Sequence, residues 1–427
     1  MNSNEIYVSL DIGTSSVKVI IGEMVNDSLN IIGVGNVKSE GLRKGSIIDI
    51  NDTVHSIKRA IEEAERMIGM EIRQVIVGIT GNHVMLQPCR GVVAVSSQNR
   101  EITNEDVTRV IEAAQVMSIP PDREIIGVVP KQYILDGKDE IHDPRGMIGV
   151  RLEMDGTLIT GSKSIIINTL RCVERAGLDI LDIVLQPLAA GEYALSKDEK
   201  NLGVALIDLG GGSTTIAVFE QGFLAATSVI PVGGEHITKD LSIGLRTSTE
   251  DAERIKIKYG HAFYDDASED EVFSVPIIGS DQHQQFNQLE VSDIIEARLE
   301  EIFDLIVNEM KRLGYSDLPG GYVLTGGIAN MQGVLELAQV ILQNRVRNAV
   351  PDYIGVREPQ YTTAVGLIKY AYKNGRVPGG NFVAAAPVSE PAEKRSPKQQ
   401  QPKAKPEKHP EDKMSSKVKK FLGLFFE

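Results

Sequence analysis

The chain writes one pattern twice, about two hundred residues apart. Residues 6–18 read IYVSLDIGTSSVK and residues 204–219 read VALIDLGGGSTTIAVF. Each copy is an apolar run ending in an aspartate, Asp11 or Asp208, then a turn of Gly, Ser and Thr, then a second apolar run. Alternating apolar runs joined by such a turn predict a β-hairpin. A chain that places one hairpin in each half predicts two lobes that face each other across a cleft.

The residue types at the two turns suit phosphate. Glycines allow left-handed backbone and bring N–H groups close to an anion, and successive N–H groups form an anion-binding concavity. Hydroxyls of Ser and Thr add donors, and Lys18 adds a positive charge. Asp11 and Asp208 suit Mg²⁺, which keeps several waters and takes one or two carboxylates. The string GxxxxGK[ST] of a P-loop does not occur. The pattern predicts a two-lobed clamp on a nucleotide's phosphates.

Composition narrows the classes. With 42% hydrophobic and 24% charged residues, the chain has the balance of a soluble globular protein. A net charge of −14 argues against general nucleic-acid binding, which requires a basic face. Cys89 and Cys172 lie far apart and the seven histidines are scattered, so no zinc site is expected. The first residues, MNSNE, lack the basic and apolar regions of a signal peptide, and no apolar run is long enough to span a bilayer. A cytoplasmic location is expected.

Periodicity divides the chain. A first lobe is expected over 1–83, with a helix at 51–67 and a buried strand at 74–79. A compact β-α-β-β module follows at 84–161, its strands near 91–96, 124–135 and 148–152 and its helix capped by Thr103 and Asp106. The first lobe resumes at 162–200, where Pro187 marks a helix start. A second lobe is expected over 201–357, with helices at 249–259 and 291–313 and a polar loop at 262–288 containing a strand at 272–278. In it, the segment from Gly321 to Asn330 reads as a strand, a turn at Gly326 and Gly327, and a helix. A return helix is expected within 358–376.

Composition then shifts. Seven of the eighteen prolines lie between Pro378 and Pro410 among Lys, Glu, Gln and Ser, so 377–414 is expected to be a disordered linker. Residues 415–427 change again: Val418, Phe421, Leu422 and Phe425 recur at the spacing of one helix face, beside Phe426 and flanked by Lys417 and Lys420. Such a helix spans about 18 Å, too short to cross a bilayer but suited to its interface. Its apolar groups give about 1.5 kcal/mol each on partial burial, and basic residues add about 1 kcal/mol each on anionic lipid. One tail would bind reversibly, and many on a filament would bind by avidity.

Five segments, 11–18, 187–195, 208–215, 323–330 and 361–371, occur in the order of the phosphate-1, connect-1, phosphate-2, adenosine and connect-2 motifs of the actin, Hsp70 and sugar-kinase superfamily. The chain resembles that superfamily over residues 5–375. Within it, the module after Ile79, the IDLGGGSTT string and the linker with its terminal helix resemble the FtsA family of bacterial cell-division actin homologues. The resemblance implies an α/β, actin-like two-lobed fold with ATP and Mg²⁺ between the lobes. Gly13, Thr14, Ser15 and Lys18 would meet the phosphates from one side, and Gly210, Gly211, Gly212, Ser213 and Thr214 from the other. Asp11 and Asp208 would hold Mg²⁺ through water. Gly326, Gly327, Glu253 and Lys256 would lie at the adenosine. The family further implies filaments in which the inserted module contacts the next subunit, and a second lobe that binds the C-terminal tail of the tubulin-like protein FtsZ around 235–310. It implies recruitment of later division proteins and a peripheral place on the cytoplasmic membrane face at the septum.

Rival readings differ by identifiable features. A small-metabolite kinase needs a base for its acceptor hydroxyl, and no Asp or Glu claims that role in the sequence. An Hsp70-type chaperone needs a β-rich domain after the lobes, which the linker leaves no room for. A pilus-assembly scaffold shares the inserted module but has no use for the amphipathic tail. Any ATPase activity is expected to be weak.

Overall fold

The computed structural model describes residues 5–280 and 282–375. The linker and terminal helix expected from residue 377 onward, with Lys417, Val418, Lys420, Phe421, Leu422, Phe425 and Phe426, lie outside the described residues.

The first lobe opens with β1 (Glu5–Ile12), β2 (Ser16–Val25) and β3 (Ser28–Lys38), an antiparallel meander. A short hairpin of β4 (Leu42–Arg43) and β5 (Ser46–Ile47) leads to α1 (Ile50–Ile68) and β6 (Gln74–Ile79). Asp49 starts α1 by accepting the N–H groups of Asn51 and Asp52, and Gly69 stops it in the left-handed region. Val54, Ile57, Ala60, Ile61 and Ala64 form the buried stripe of that helix.

An inserted module follows: β7 (Met85–Ala94), α2 (Asn104–Ala114), β8 (Arg123–Leu135), β9 (Lys138–Ile141) and β10 (Arg151–Ser162). Its sheet runs in the order β7-β10-β8-β9 and has its own core, including Val107, Val110, Leu152, Met154 and Leu158. Thr103 and Asp106 close the capping box of α2. Two sequence expectations change here. The module has an additional strand, β9. The strand expected at 148–152 starts at Arg151 and continues to Ser162 as a central strand. An Asp-Gly pair, Asp155-Gly156, has turn chemistry, but in the sheet it faces a register shift where β8 bulges by one residue and β10 continues.

The chain returns through α3 (Lys163–Arg175) and β11 (Asp179–Leu185) to α4 (Gln186–Ala194) and the short α5 (Lys197–Leu202). The second lobe then repeats the meander with β12 (Val204–Leu209), β13 (Thr214–Glu220) and β14 (Phe223–Ile230). Next come α6 (Gly234–Gly244), α7 (Thr249–Tyr259), a hairpin of β15 (Val272–Pro276) and β16 (His283–Asn287), and α8 (Gln288–Leu313). The lobe closes with β17 (Tyr322–Thr325), α9 (Val334–Leu342) and β18 (Val346–Asn348), and α10 (Thr362–Lys373) returns to the first lobe. Helix α6 escapes a sequence reading because glycines at 233, 234 and 244 weaken its helical signal. The segment 262–288 contains a two-stranded hairpin where one strand was expected. The helix expected directly after Gly327 is a single 3-10 turn over Ile328–Asn330, and α9 begins only at Val334.

The two lobes are built alike. The first sheet has the order β3-β2-β1-β6-β11 and the second β14-β13-β12-β17-β18, each an antiparallel meander extended by two parallel strands. One buried cluster fills the first lobe and reaches across to Leu206, Ala217, Phe219 and Val323, while a second fills the other lobe around α8. Helices α4 and α10 cross between them. A Cβ on Gly366 of α10 would lie 2.1 Å from the Ala189 carbonyl of α4. Beside that crossing, Glu192 pairs with Lys200 at 3.1 Å and with Lys373, at the end of α10, at 2.6 Å.

Candidate functional site

Both hairpin turns reach the cleft in matching register. Asp11 stands opposite Lys18 in the first hairpin, and Asp208 stands opposite Thr215 in the second. Each turn is closed by one backbone bond, Gly13 N–H to the Ser16 carbonyl at 3.0 Å and Gly210 N–H to the Ser213 carbonyl at 3.1 Å. The left-handed backbone that their sequence suggests is not used. None of Gly13, Gly210, Gly211 and Gly212 adopts a left-handed φ. Gly211 and Gly212 are small because the lobes meet there: a Cβ on Gly211 would lie 1.7 Å from Ser15 Oγ, and one on Gly212 would lie 2.6 Å from Thr14 Cγ2, while a Cβ on Gly13 or Gly210 would crowd a carbonyl of its own turn. Ser15 also donates to Glu235 Oε1 at the start of α6, at 3.1 Å.

The charges are unbalanced. Asp11 pairs with the buried Lys18 at 3.7 Å and accepts from Gln186 Nε2 at 2.6 Å. Burial pushes Asp11 above the usual carboxylate range, with Lys18 and Gln186 pulling the other way. Asp208 is pushed up to about 6, first by burial and then by the negative charge of Asp11, against the pull of Lys18. Two carboxylates thus share one cation in a desolvated cleft. A hydrated divalent cation would relieve that repulsion, and it needs no more than two carboxylates when phosphates and waters complete its shell. Among the described residues no group of three or more His, Cys, Asp or Glu side chains forms a self-sufficient metal site. The donor set therefore fits Mg²⁺ brought with phosphate. Gln186, Pro187, Ala190, Leu206, Asp208, Thr215 and Ala217 line a small recess beneath the turns.

The remaining predicted residues divide into three groups. Gly326 adopts φ +89°, and a Cβ there would lie 2.3 Å from Asp208 Oδ1, so the turn after β17 rests on the second carboxylate. Gly327 has open space where its Cβ would be. Lys256 is buried on α7 and donates to the Gly234 carbonyl at 3.2 Å, Thr238 Oγ1 at 2.8 Å and Glu253 Oε2 at 2.7 Å. The vacant Cβ position of Gly234 lies 3.4 Å from Lys256 Nζ and 3.3 Å from Ile328. Glu253 and Lys256 are thus tied to each other and placed beside the turn at 326–328. Thr214 is the exception: its side chain is buried and its hydroxyl donates to the Val232 carbonyl at 2.9 Å, so it holds the sheet and is not free for a phosphate. The alternation of β13 turns it inward.

Sequence reasoning missed Gln186, Glu235 and the β4–β5 hairpin, whose Gly45 N–H donates to Thr14 Oγ1 at 3.0 Å. Gln186 had one available signal, its place directly before the helix-starting Pro187. The others are contacts between distant segments that no local pattern announces.

Comparison with known proteins agrees with this architecture. Residues 205–366 match the family described as "Cell division protein FtsA", and residues 81–160 match the "SHS2 domain inserted in FTSA". The chain is 60% identical to the cell division protein FtsA of Bacillus subtilis, with both chains fully covered. It is 45% identical to the FtsA of Enterococcus hirae over 87% of this chain and 84% of that one. Among solved structures, the PilM–PilN type IV pilus biogenesis complex aligns with a TM-score of 0.59 at 15% identity, covering 86% of this chain and 98% of that one. MreB5 of Spiroplasma citri bound to ADP aligns at 0.54 and 15%, covering 88% and 99%. These two likenesses show an actin-like fold.

Proposed function

The chain belongs to the FtsA family of cell-division proteins, and from that membership we propose an ATP-binding scaffold that polymerises on the cytoplasmic membrane face and tethers the FtsZ ring there. The observation that carries the nucleotide part is the facing pair of hairpins, with two repelling carboxylates and one lysine in a cleft where the Mg²⁺ of a magnesium-bound polyphosphate would relieve the carboxylate repulsion. The actin-like MreB5 that aligns over most of the chain was solved with ADP, which supports the same ligand class. When bound, the Mg²⁺ would offset the paired carboxylates and the phosphates would join the lobes. Gly13, Ser15 and Lys18 on one side, and Gly210–Ser213 on the other, orient its phosphates. The turn at Gly326 and Gly327, with Lys256 and Glu253, borders the nucleoside. Hydrolysis is slow at most, and ATP acts mainly by stabilising the assembling conformation.

The second lobe takes the FtsZ C-terminal tail. Ile243, Ile257 and Ile278, 67%, 75% and 68% exposed, give that lobe apolar contacts within 235–310. The inserted module contacts the next protomer, and the filament presents a surface to later division proteins at the septum. Among the described residues no helix is long and apolar enough to cross a membrane. The membrane contact is assigned to residues 415–427 as a peripheral amphipathic anchor on anionic lipid, at the end of a linker over 377–414.

Electron microscopy on an anionic lipid monolayer tests the whole reading. The full chain with Mg-ATP is expected to form filaments on lipid that recruit FtsZ. Truncation after Met414 should abolish lipid attachment, and Asp208→Ala should abolish nucleotide binding and filaments together. Lipid binding equal to the full chain after truncation would sink the anchor. Normal ATP affinity in Asp208→Ala would sink the site.

A further inference from the structure

The β4–β5 hairpin has no place in the nucleotide site derived so far, yet it is built onto it. Its two-residue tip, Lys44 and Gly45, has φ +50° and +72°. Two consecutive left-handed residues make the tight turn that right-twisted strands favour, and Asn, Asp or Gly normally fills its first position. A lysine in left-handed backbone is disfavoured, and such residues concentrate at functional sites. The tip is held through its backbone. Gly45 N–H donates to Thr14 Oγ1 at 3.0 Å, and Asn82 Nδ2 donates to the Lys44 carbonyl at 3.0 Å. A side chain on Gly45 would strike Asn82, with its Cβ 2.3 Å from Nδ2.

The clamped backbone leaves two cations on a hairpin tied to the Thr14 turn. Arg43 and Lys44 are exposed, and neither side chain makes an ion pair or a hydrogen bond with a described residue. Asp49, the acid that follows the hairpin, is committed to the N–H groups of Asn51 and Asp52. Contacts order the surroundings in a row. Ile328 and Lys256 lie against Gly234, Glu235 meets Ser15, Ser15 abuts Gly211, Thr14 abuts Gly212, and Thr14 holds Gly45. The nucleoside border stands at one end of this row and the cationic tip at the other.

We propose that the Arg43–Lys44–Gly45 tip is a further phosphate-binding element that engages the terminal phosphate of a nucleoside triphosphate and so distinguishes triphosphate from diphosphate. The inference rests on the nucleotide reading above. Both cations reach the same end of the polyphosphate, arginine through a planar fork and lysine as a compact charge. A diphosphate stops short of them and leaves them solvated.

The test compares Mg-ATP and Mg-ADP binding by calorimetry on the full chain, below its assembly concentration, for wild type, Arg43→Gln with Lys44→Gln, and Lys44→Arg. The double variant is expected to weaken Mg-ATP about tenfold or more and to change Mg-ADP less than about twofold, as the loss of charge-assisted contacts to one phosphate requires. Lys44→Arg should keep most of the wild-type preference for Mg-ATP. Equal weakening of both ligands would show a tip that merely supports Thr14 and would overturn the proposal, as would no change in either. Wild type binding neither nucleotide would overturn the underlying site as well, a result separable from the other two.

Discussion

Replacing Asp208 by asparagine is expected to make the nucleotide-free protein more stable while removing its hold on Mg-ATP. The carboxyl rises from an ordinary 3.8 to about 6 through burial first and the charge of Asp11 second. At about 1.4 kcal/mol per pH unit, that rise means the folded chain gives up about 3 kcal/mol when Asp208 ionises. The folded value lies above the unfolded one. The stability tied to the protonated form is therefore complete below about pH 4 and lost as pH rises through about 6. Asparagine keeps the shape and cannot ionise, so it avoids the loss. Urea unfolding in EDTA should place Asp208→Asn above wild type by up to about 3 kcal/mol at pH 8 and by about half as much at pH 5. Saturating Mg-ATP should reverse the order at pH 8. Wild type gains about 4.1 kcal/mol at a thousandfold excess over its Kd, more than the gap, and the variant gains nothing. A variant less stable than wild type at pH 8, or a gap that ignores pH, would refute the like-charge account.

Two other perturbations separate framework from site. Gly366→Ala should cost on the order of 2 kcal/mol, because its methyl meets a helix carbonyl that no rotamer change can move, and overpacking outweighs the gain in helix propensity. Thermal unfolding checks this, and an unchanged or higher midpoint would mean that α4 and α10 part without resistance. Lys256→Met keeps the buried stem but removes three hydrogen bonds. Adenine-nucleotide affinity should fall about tenfold with about 1 kcal/mol lost in stability, and an unaltered Kd would confine Lys256 to bracing α6 against α7.

The framework was legible where pattern and structure share one period. The paired hairpins, the stripe of α1 and the capping box at Thr103 are local signals, and local hydrogen bonding realises them directly. The site residues were legible by type and place, but their work was not. Thr214 shares a string with the glycines proposed to face phosphate, yet strand alternation turns it into the sheet. Gly211 and Gly212 signal backbone freedom in sequence, whereas the cleft uses their lack of a side chain. Asp155-Gly156 carries turn chemistry that a neighbouring strand on each side overrides. Gln186, Asn82 and Gly45 join the site through contacts between segments far apart in the chain, and no periodicity records those.

The clip at Glu192 gives the molecule a load path. Lys373 ends α10, two residues before the last described residue, and Glu192 binds Lys373 and Lys200 at once. Lys200 lies in the stretch that hands the chain from one lobe to the other, and Lys200 Nζ also sits over the ring of Phe219 in the second lobe. Tension applied beyond residue 375 therefore enters at the hinge of the clamp. A chain anchored by that end would feel pulling as a torque on the angle between its lobes, the same coordinate that the proposed nucleotide would set from the opposite side.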